Sequence, residues 1–447
     1  MRDKLLHVQS HDIDVALSTM TGLQFAQMLQ KFVAEGKAAS YEEEAMRLEL
    51  KAPLGSIHQI AANPEKSKHL ETVTTRIFGF DVDLVNLRKE VYAEDSRNPQ
   101  MEFGTPEEDA LRRDATINAL FYNLQTEQVE DFTGKGLDDM SSHIIRTPLA
   151  PYQTFKDDPL RTLRLIRFAS RLGYKIETAS MEAMRDKTIR DALRAKISRE
   201  RVGIEVDKML TGPDPQGALK LIYDLDLHST VFADPISKKQ TDVSKLPRVY
   251  DSLVALTTKD DATFNQLNIK SDPALSWYLA AYTPWENSEA EALEAAKEGI
   301  KAPRKLMKLV GDSVKHHKSV LRIVEEVQKD KYPRSRLGMF IRKLGSSWRA
   351  HVLYAMLCDF ACQPYGEVAG RYAVLLNAIQ ERLLLGAAET VPILKGNKIQ
   401  QAMGAQGGPW LTKATNMVVE WQFDNPDGDE EAALQMITSR KAELGLI

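Results

Sequence analysis

The sequence predicts an α+β protein, a small mixed-sheet head followed by a long all-helical remainder. Three observations carry that reading. Acids and β-branched or apolar residues alternate in residues 12–17 and again around Gly79, and no convincing strand pattern follows residue 137. From Asp158 onward apolar residues recur at helical spacing to the C-terminus. The chain has 447 residues, 43% hydrophobic and 27% charged, a profile with core enough for one to three domains.

Element by element, Met1-Arg2-Asp3-Lys4 opens the chain already charged and helix-like. Asp12 to Leu17 reads as a strand and Gly22 to Val33 as an amphipathic helix. Thr72 to Leu87 reads as a hairpin. Thr105 can cap, Pro106 takes the first turn and acids follow, so a helix is expected over Glu107 to Leu120. Gln128 to Phe132 reads as a last strand before the turn residues Thr133-Gly134-Lys135-Gly136. A helix is expected over Asp158 to Arg171. Linkers are expected at Gly212-Pro213-Asp214-Pro215, Phe232 to Pro247 and Asn425-Pro426-Asp427-Gly428. There is no internal repeat and no low-complexity segment.

The formal net charge of −4 excludes a uniformly basic protein but not a local basic face. Such a face exists: Lys156 to Leu210 holds 14 basic against 9 acidic residues, enough for a groove that holds phosphates. The two cysteines, Cys358 and Cys362, share a helix face and read as buried reduced thiols, with no His pair nearby in sequence to complete a zinc site. No apolar run reaches the ~18 residues of a membrane span, and no signal peptide opens the chain.

Asp12 and Asp14 carry the clearest chemistry. Residues i and i+2 of a strand share a face, and two adjacent carboxylates repel unless a cation lies between them. Asp-x-Asp on a strand is therefore a Mg²⁺ platform completed by substrate phosphates. Taken alone, the pair fits a solvated edge strand equally well. His11-Asp12 resembles phosphohydrolase metal ligands, but the further helical histidines are missing. Asp81 and Asp83 form a second acidic strand that could lie beside the first or simply face water. Arg112-Arg113-Asp114 falls on the helix expected after Thr105, where adjacent residues diverge, so one arginine could reach a substrate while the other is tied to structure.

Asp158, Arg161, Arg164 and Arg167 recur every three residues along one face of their expected helix. A carboxylate one turn from a guanidinium presents an acceptor beside a donor fork. Cytosine and adenine each offer an amino donor beside a ring-nitrogen acceptor, whereas uracil and guanine place a carbonyl where Asp158 needs a donor. An intrahelical salt-bridge stripe is the alternative.

Together these residues resemble the class II tRNA nucleotidyltransferases, fungal members in particular. The matched pieces run in order: Arg2-Asp3 with Asp12-Ile13-Asp14; Arg112 to Ala119; Asp131-Phe132-Thr133-Gly134 leading to Ile145-Arg146-Thr147-Pro148; Asp157 to Arg161 with Arg164 and Arg167; and Ser198-Arg199-Glu200-Arg201 with Glu205. The resemblance implies a nucleotidyltransferase (DNA polymerase β-like) head over residues 1–136, a neck with the template helix over 137–215, and a helical body and tail over 216–447. It implies addition of C, C and A to the tRNA 3′ end from CTP and ATP, with Mg²⁺ on the catalytic pair Asp12 and Asp14. Arg2, Arg112, Arg113, Arg164 and Arg167 would hold triphosphate or frame the nucleotide. Asp114 would sit near the ribose, and Asp158 with Arg161 would select the base. Asp157 would tune head–neck motion, and the Ser198-Arg199-Glu200-Arg201 run with Glu205 would brace the neck. Arg88 to Phe103 would be a flexible loop that helps switch from C to A. Body and tail would grip the acceptor and T arms, with Arg336, Arg342, Lys343, Arg349, Lys395-Gly396 and Gly408-Pro409-Trp410-Leu411 as contacts.

The family places two glycines and a strand before the Val-Arg-Asp that here begins with Met1. The resemblance therefore implies an impaired chain with an exposed sheet edge, explained by a misassigned or alternative start. A monomer is expected, cytoplasmic and/or nuclear; any mitochondrial targeting segment would lie upstream of Met1. Two rival readings stand beside this one: a poly(A) polymerase of the same superfamily, and a non-catalytic RNA-binding relic.

Overall fold

A computed structural model describes residues 2–6, 12–50, 54–60, 72–91, 100–237, 239, 241–258, 262–329 and 332–446. The chain forms two compact units, residues 1–192 and 193–447. The division falls inside the segment assigned to the neck from the sequence.

The first unit is built on a mixed sheet of β1 (Asp12–Leu17), β2 (His58–Ile60), β3 (Thr72–Ile77) and β4 (Phe80–Asn86), in the order β1-β4-β3-β2. β1 and β4 run parallel, while β3 is antiparallel to both its neighbours. The hairpin expected around Gly79 is β3–β4. Its turn has positive φ at both Phe78 and Gly79, the geometry whose twist matches the flanking strands. One sheet face is apolar: Val73, Val82 and Leu84 bury against Ala26, with Val15, Leu17, Leu23 and Phe25 around them. After the short α1 (Arg2–Leu5), Ala26, Leu23 and Phe25 come from α2 (Gly22–Ala34), which Thr21 caps reciprocally with Gln24. Gly22 permits this docking, since a Cβ there would lie 2.7 Å from the Leu84 carbonyl oxygen. α3 (Ala39–Arg47) follows.

β5 (Arg88–Val91) and β6 (Gln100–Phe103) pair antiparallel. The expected loop over Arg88 to Phe103 is therefore a two-stranded ribbon at its ends, and its residues 92–99 lie outside the described residues. α4 (Pro106–Leu111) has the expected Thr105 cap, closed into a capping box by Glu108. It is shorter than the Glu107–Leu120 helix read from the sequence. Ala115 is extended, and the Thr116 amide bonds to the Arg146 carbonyl at 2.9 Å, so a tertiary bond replaces the helical one. The pair β7 (Phe121–Asn123) and β8 (Gln128–Glu130) leads to α5 (Gly136–Ser141).

The stretch after residue 137, expected to be helical, is not purely so. β9 (Ile144–Ile145) and β10 (Lys175–Ile176) form a two-residue parallel pair, too short to leave an alternating pattern. Around it lie α6 (Pro151–Asp157), α7 (Arg161–Leu172) and α8 (Thr178–Arg185). α7 begins three residues later than expected because Pro159 pushes Asp158 out of helical space, to φ −133° and ψ 97°.

Apart from the end of the helix Lys187–Lys196, the second unit opens with α10 (Arg199–Leu210), α9 being that preceding helix, and is helical throughout its described residues. Ser198 caps α10 by accepting from the Arg201 amide. Arg199 is buried and donates to the carbonyls of Gly299, Thr230 and Val231 at 2.7, 2.9 and 2.6 Å. Its surroundings push the guanidinium down to about 10, chiefly by burial. Arg199 thus ties the start of α10 to the segments around residues 230 and 299. Tyr250, Tyr282, Trp348, Tyr354 and Phe360 fill the core of the unit, and Leu394, Ile399, Met403, Val418 and Ile437 form a separate apolar cluster in its last helices. Cys358 is buried but Cys362 is exposed at its helix end, where Lys245 lies 3.2 Å from its sulfur. The reading of both cysteines as buried is corrected accordingly. Among the described residues no helix is long and apolar enough to cross a membrane.

Candidate active site

The expected acidic strand is a strand. In β1 the parallel register sets Asp12 opposite Asp81 and Asp14 opposite Asp83. In-register parallel neighbours share a face, so these four positions lie opposite the apolar face that packs on α2. Asp14 is exposed. Asp81 accepts from Arg76 Nε at 2.6 Å, and that guanidinium holds its carboxyl below the ordinary carboxylate range. Asp83 accepts from Thr74 Oγ1 at 2.6 Å. Asp81 and Asp83 therefore do lie beside the first acidic strand, though each already has a partner on β3. His11 and the side chains of Arg2 and Asp12 lie outside the described residues.

Arg112, Arg113 and Asp114 lie at and beyond the end of α4 rather than on it, and all three are engaged. Buried Asp109 receives Arg112 Nε on one carboxylate oxygen at 3.0 Å, with Arg112 Nη2 on the same oxygen. Arg113 Nε and Nη2 occupy its other oxygen at 3.0 and 2.9 Å. Arg113 also donates to the Asn118 carbonyl at 2.9 Å and lies over the Phe121 ring. Sequence reasoning passed over Asp109. Its signal was the spacing: it precedes the arginines by three and four residues, the two helical distances at which side chains meet.

Asp114 is buried and pairs with Arg164 Nε at 2.5 Å, while Asn118 Nδ2 donates to its other oxygen at 3.2 Å. Burial alone would raise this carboxyl, but the Arg164 guanidinium, with Asn118 and Arg161, holds it below the ordinary range. Arg161 Nη2 donates to the Arg112 carbonyl at 2.7 Å. Two side chains of α7 thus reach the segment that follows α4, joining motifs about 50 residues apart. Asp158 stands just before α7, where its Oδ1 accepts from the Leu160 amide at 3.1 Å and its carbonyl accepts from the Arg161 amide at 3.1 Å. The expected four-residue stripe is therefore a three-arginine helix face with the acid at its lip. Arg167 is buried with its guanidinium over the Phe168 ring at 4.5 Å.

The third matched run is tied into the fold through Arg146, with Thr116 of the second joining the same cluster. Thr116 Oγ1 donates to Asp139 at 2.7 Å, and Arg146 pairs with Asp139 and Glu177, each at 3.2 Å. In the second unit, Arg342 donates to the Thr390 carbonyl, Arg349 to the Gln266 carbonyl at 2.8 Å, and Arg336 pairs with Glu326 at 3.6 Å. Of these three arginines, expected as phosphate contacts, Arg342 and Arg349 hold backbone carbonyls, while the Arg336 side chain stays 62% exposed.

Residues 1–146 match the Poly A polymerase head domain, and residues 173–238 match the probable RNA and SrmB- binding site of polymerase A. Over its whole length the chain is 39% identical to a nucleotidyltransferase of Purpureocillium lilacinum, covering 86% of that protein. It is 38% identical to the mitochondrial CCA tRNA nucleotidyltransferase of Candida glabrata, with 98% of this chain and 89% of the relative aligned. The chain belongs to the CCA tRNA nucleotidyltransferase family. The fold of this family member agrees: an apo CCA-adding enzyme structure superposes with a TM-score of 0.67 at 20% identity, covering 98% of this chain and 89% of the other. The chain is a nucleotidyltransferase, and positions 12, 14, 81 and 83 of the head sheet are acids, hard-oxygen donors of the kind divalent cations take.

Proposed function

We propose that this chain adds C, C and A to the 3′ end of tRNA, drawing on CTP and ATP without a nucleic-acid template. The observation that carries the proposal is the register of β1 on β4, which puts acid positions 12, 14, 81 and 83 on one sheet face. Hard carboxylate oxygens on a face that repels itself without a cation suit Mg²⁺, and Asp12 and Asp14 would hold it. An ion held there would supply positive charge that favours loss of the tRNA 3′-hydroxyl proton and offsets the charge of the departing pyrophosphate.

The chain's own groups do the rest. Arg2, Arg112 and Arg113 hold triphosphate oxygens, and Asp109 fixes the fork of the last two. Arg164 with Asp114 positions the nucleotide near its ribose, and Arg167 keeps α7 rigid behind it. Asp158 and Arg161 select cytosine, then adenine, by accepting from the exocyclic amino group and donating to the ring nitrogen. In this reading residues 1–136 act as head, 137–215 as neck and 216–447 as the body and tail that hold the acceptor and T arms. The enzyme works as a monomer, in cytoplasm and/or nucleus, with a mitochondrial form as a further product.

Incubation with tRNA lacking its terminus, Mg²⁺ and labelled CTP, ATP or both tests this. C, then C, then A is expected, with A depending on prior C. Long A tails would instead identify a poly(A) polymerase, and binding without incorporation an RNA-binding relic. Asp12→Ala should abolish incorporation and leave tRNA binding nearly intact; retained incorporation removes the metal assignment.

A further inference from the structure

The helical unit holds a donor cluster that nucleotidyl transfer does not use. Glu286, His317 and Cys358 bring a carboxylate oxygen, an imidazole nitrogen and a sulfur within 4.8 Å of one another. They come from three pieces of the fold. Glu286 follows the turn Thr283–Trp285, His317 lies in the helix Arg304–Gln328, and Cys358 lies in the helix Trp348–Cys362. The two helices pack along each other.

His317 supplies the second, independent sign. It is 6% exposed, and neither ring nitrogen has a hydrogen-bond partner. A neutral imidazole carries one donor and one acceptor, and burying both unmet is costly unless a ligand satisfies them. The Tyr354 ring lies edge-on to His317 at 6.0 Å and limits its rotation. The Cys358 thiol faces Glu286 and Tyr354.

We propose that Glu286, His317 and Cys358 form a zinc site that staples the turn after Thr283–Trp285 to the two helices. Sulfur, imidazole and carboxylate together suit a borderline-soft divalent ion and disfavour Mg²⁺, which prefers oxygen alone. Three protein ligands leave one tetrahedral position for water. Ligand bonds of about 2.0–2.3 Å require donors closer than they now stand, a closure of about 1 Å by side-chain rotation. As the zinc–sulfur bond forms, the Cys358 thiol gives its proton to solvent, with no change of oxidation state.

The test uses the full chain, stripped with chelator and kept in Mg²⁺ so that the acid pair of the head is occupied. Co²⁺ is the spectroscopic probe. One equivalent should produce a thiolate-to-cobalt charge-transfer band that Zn²⁺ then displaces. The band should persist in Cys362→Ser and vanish in Cys358→Ser, with helical circular dichroism checked for each variant. Should Cys358→Ser misfold, two variants decide: Glu286→Gln, at the partly exposed edge of the cluster, and His317→Gln. Each should weaken Co²⁺ on the order of tenfold or more. Absence of the band, its loss in Cys362→Ser instead, or unchanged affinity in both Gln variants overturns the site.

Discussion

Asp109→Ala is the perturbation that best separates an organised arginine pair from a chance cluster of charge. In the folded protein one buried carboxylate receives N–H groups from both Arg112 and Arg113. The side chain of Asp109 is 3% exposed, and those of the arginines are 20% and 29% exposed. Removing one partner of a buried ion pair costs about 3–5 kcal/mol. Because the arginines can turn toward water, the lower end applies, about 3 kcal/mol. At about 1.4 kcal/mol per decade, that is roughly a hundredfold larger opening constant for this region. Amide hydrogen exchange read by mass spectrometry on peptides covering 106–120 should accelerate by that order. Asp109→Asn keeps the shape and one strong acceptor, and should show a much smaller acceleration. The KM for CTP should rise in Asp109→Ala, since the two forks lose their common anchor. Exchange within about twofold of the parent, well inside the predicted hundredfold, together with an unchanged KM, would refute the clamp.

Three further outcomes follow from the same structure. Asp158→Ala should admit UTP and GTP, with misincorporation rising on the order of tenfold for one lost discriminating partner; clean rejection of both in incorporation assays would end the template reading. Arg199→Met strands three buried carbonyls and should cost roughly 3–5 kcal/mol. It can be read by tryptophan fluorescence in urea, because all five tryptophans lie in the second unit, and an unmoved midpoint would contradict it. Burial pushes His228 down to about 4, below its unfolded value, so its contribution is whole above pH ~6.5 and lost as pH falls toward 4. The expected loss is about 2.5 kcal/mol by pH 4.5, and a His228→Gln protein with the same urea-midpoint slope between pH 7 and 4.5 would exclude it.

What the sequence disclosed was local. The β1 strand, the β3–β4 hairpin and the Thr105 cap all follow from rules that act over a few residues, and the structure keeps them. The misplacements also have physical causes. Pro159 displaces Asp158 from α7 by a purely steric effect on the preceding residue; that rule was available and was outweighed by the three-residue spacing. The end of α4 at Leu111 was not available, since it depends on the Arg146 carbonyl more than 30 residues away. Likewise the view of Cys358 as a plain core thiol considered only its sequence neighbours, whereas Glu286 and His317 arrive from other segments.

Charge spacing shows a similar limit. Every third residue from Arg161 to Arg167 is an arginine, and spacing alone cannot say which of them will meet an acid from elsewhere. Arg164 finds Asp114, Arg161 finds the Arg112 carbonyl and Arg167 finds Phe168. Asp109 meanwhile holds Arg112 from the other side. The two motifs are therefore one ion and hydrogen-bond network running from Asp109 through Arg112 to Arg161, with Asp114 and Arg164 alongside. In such a network single substitutions should not be additive. Asp114→Asn in an Asp109→Ala background should cost less than the sum of the two, because the segment between them is already released.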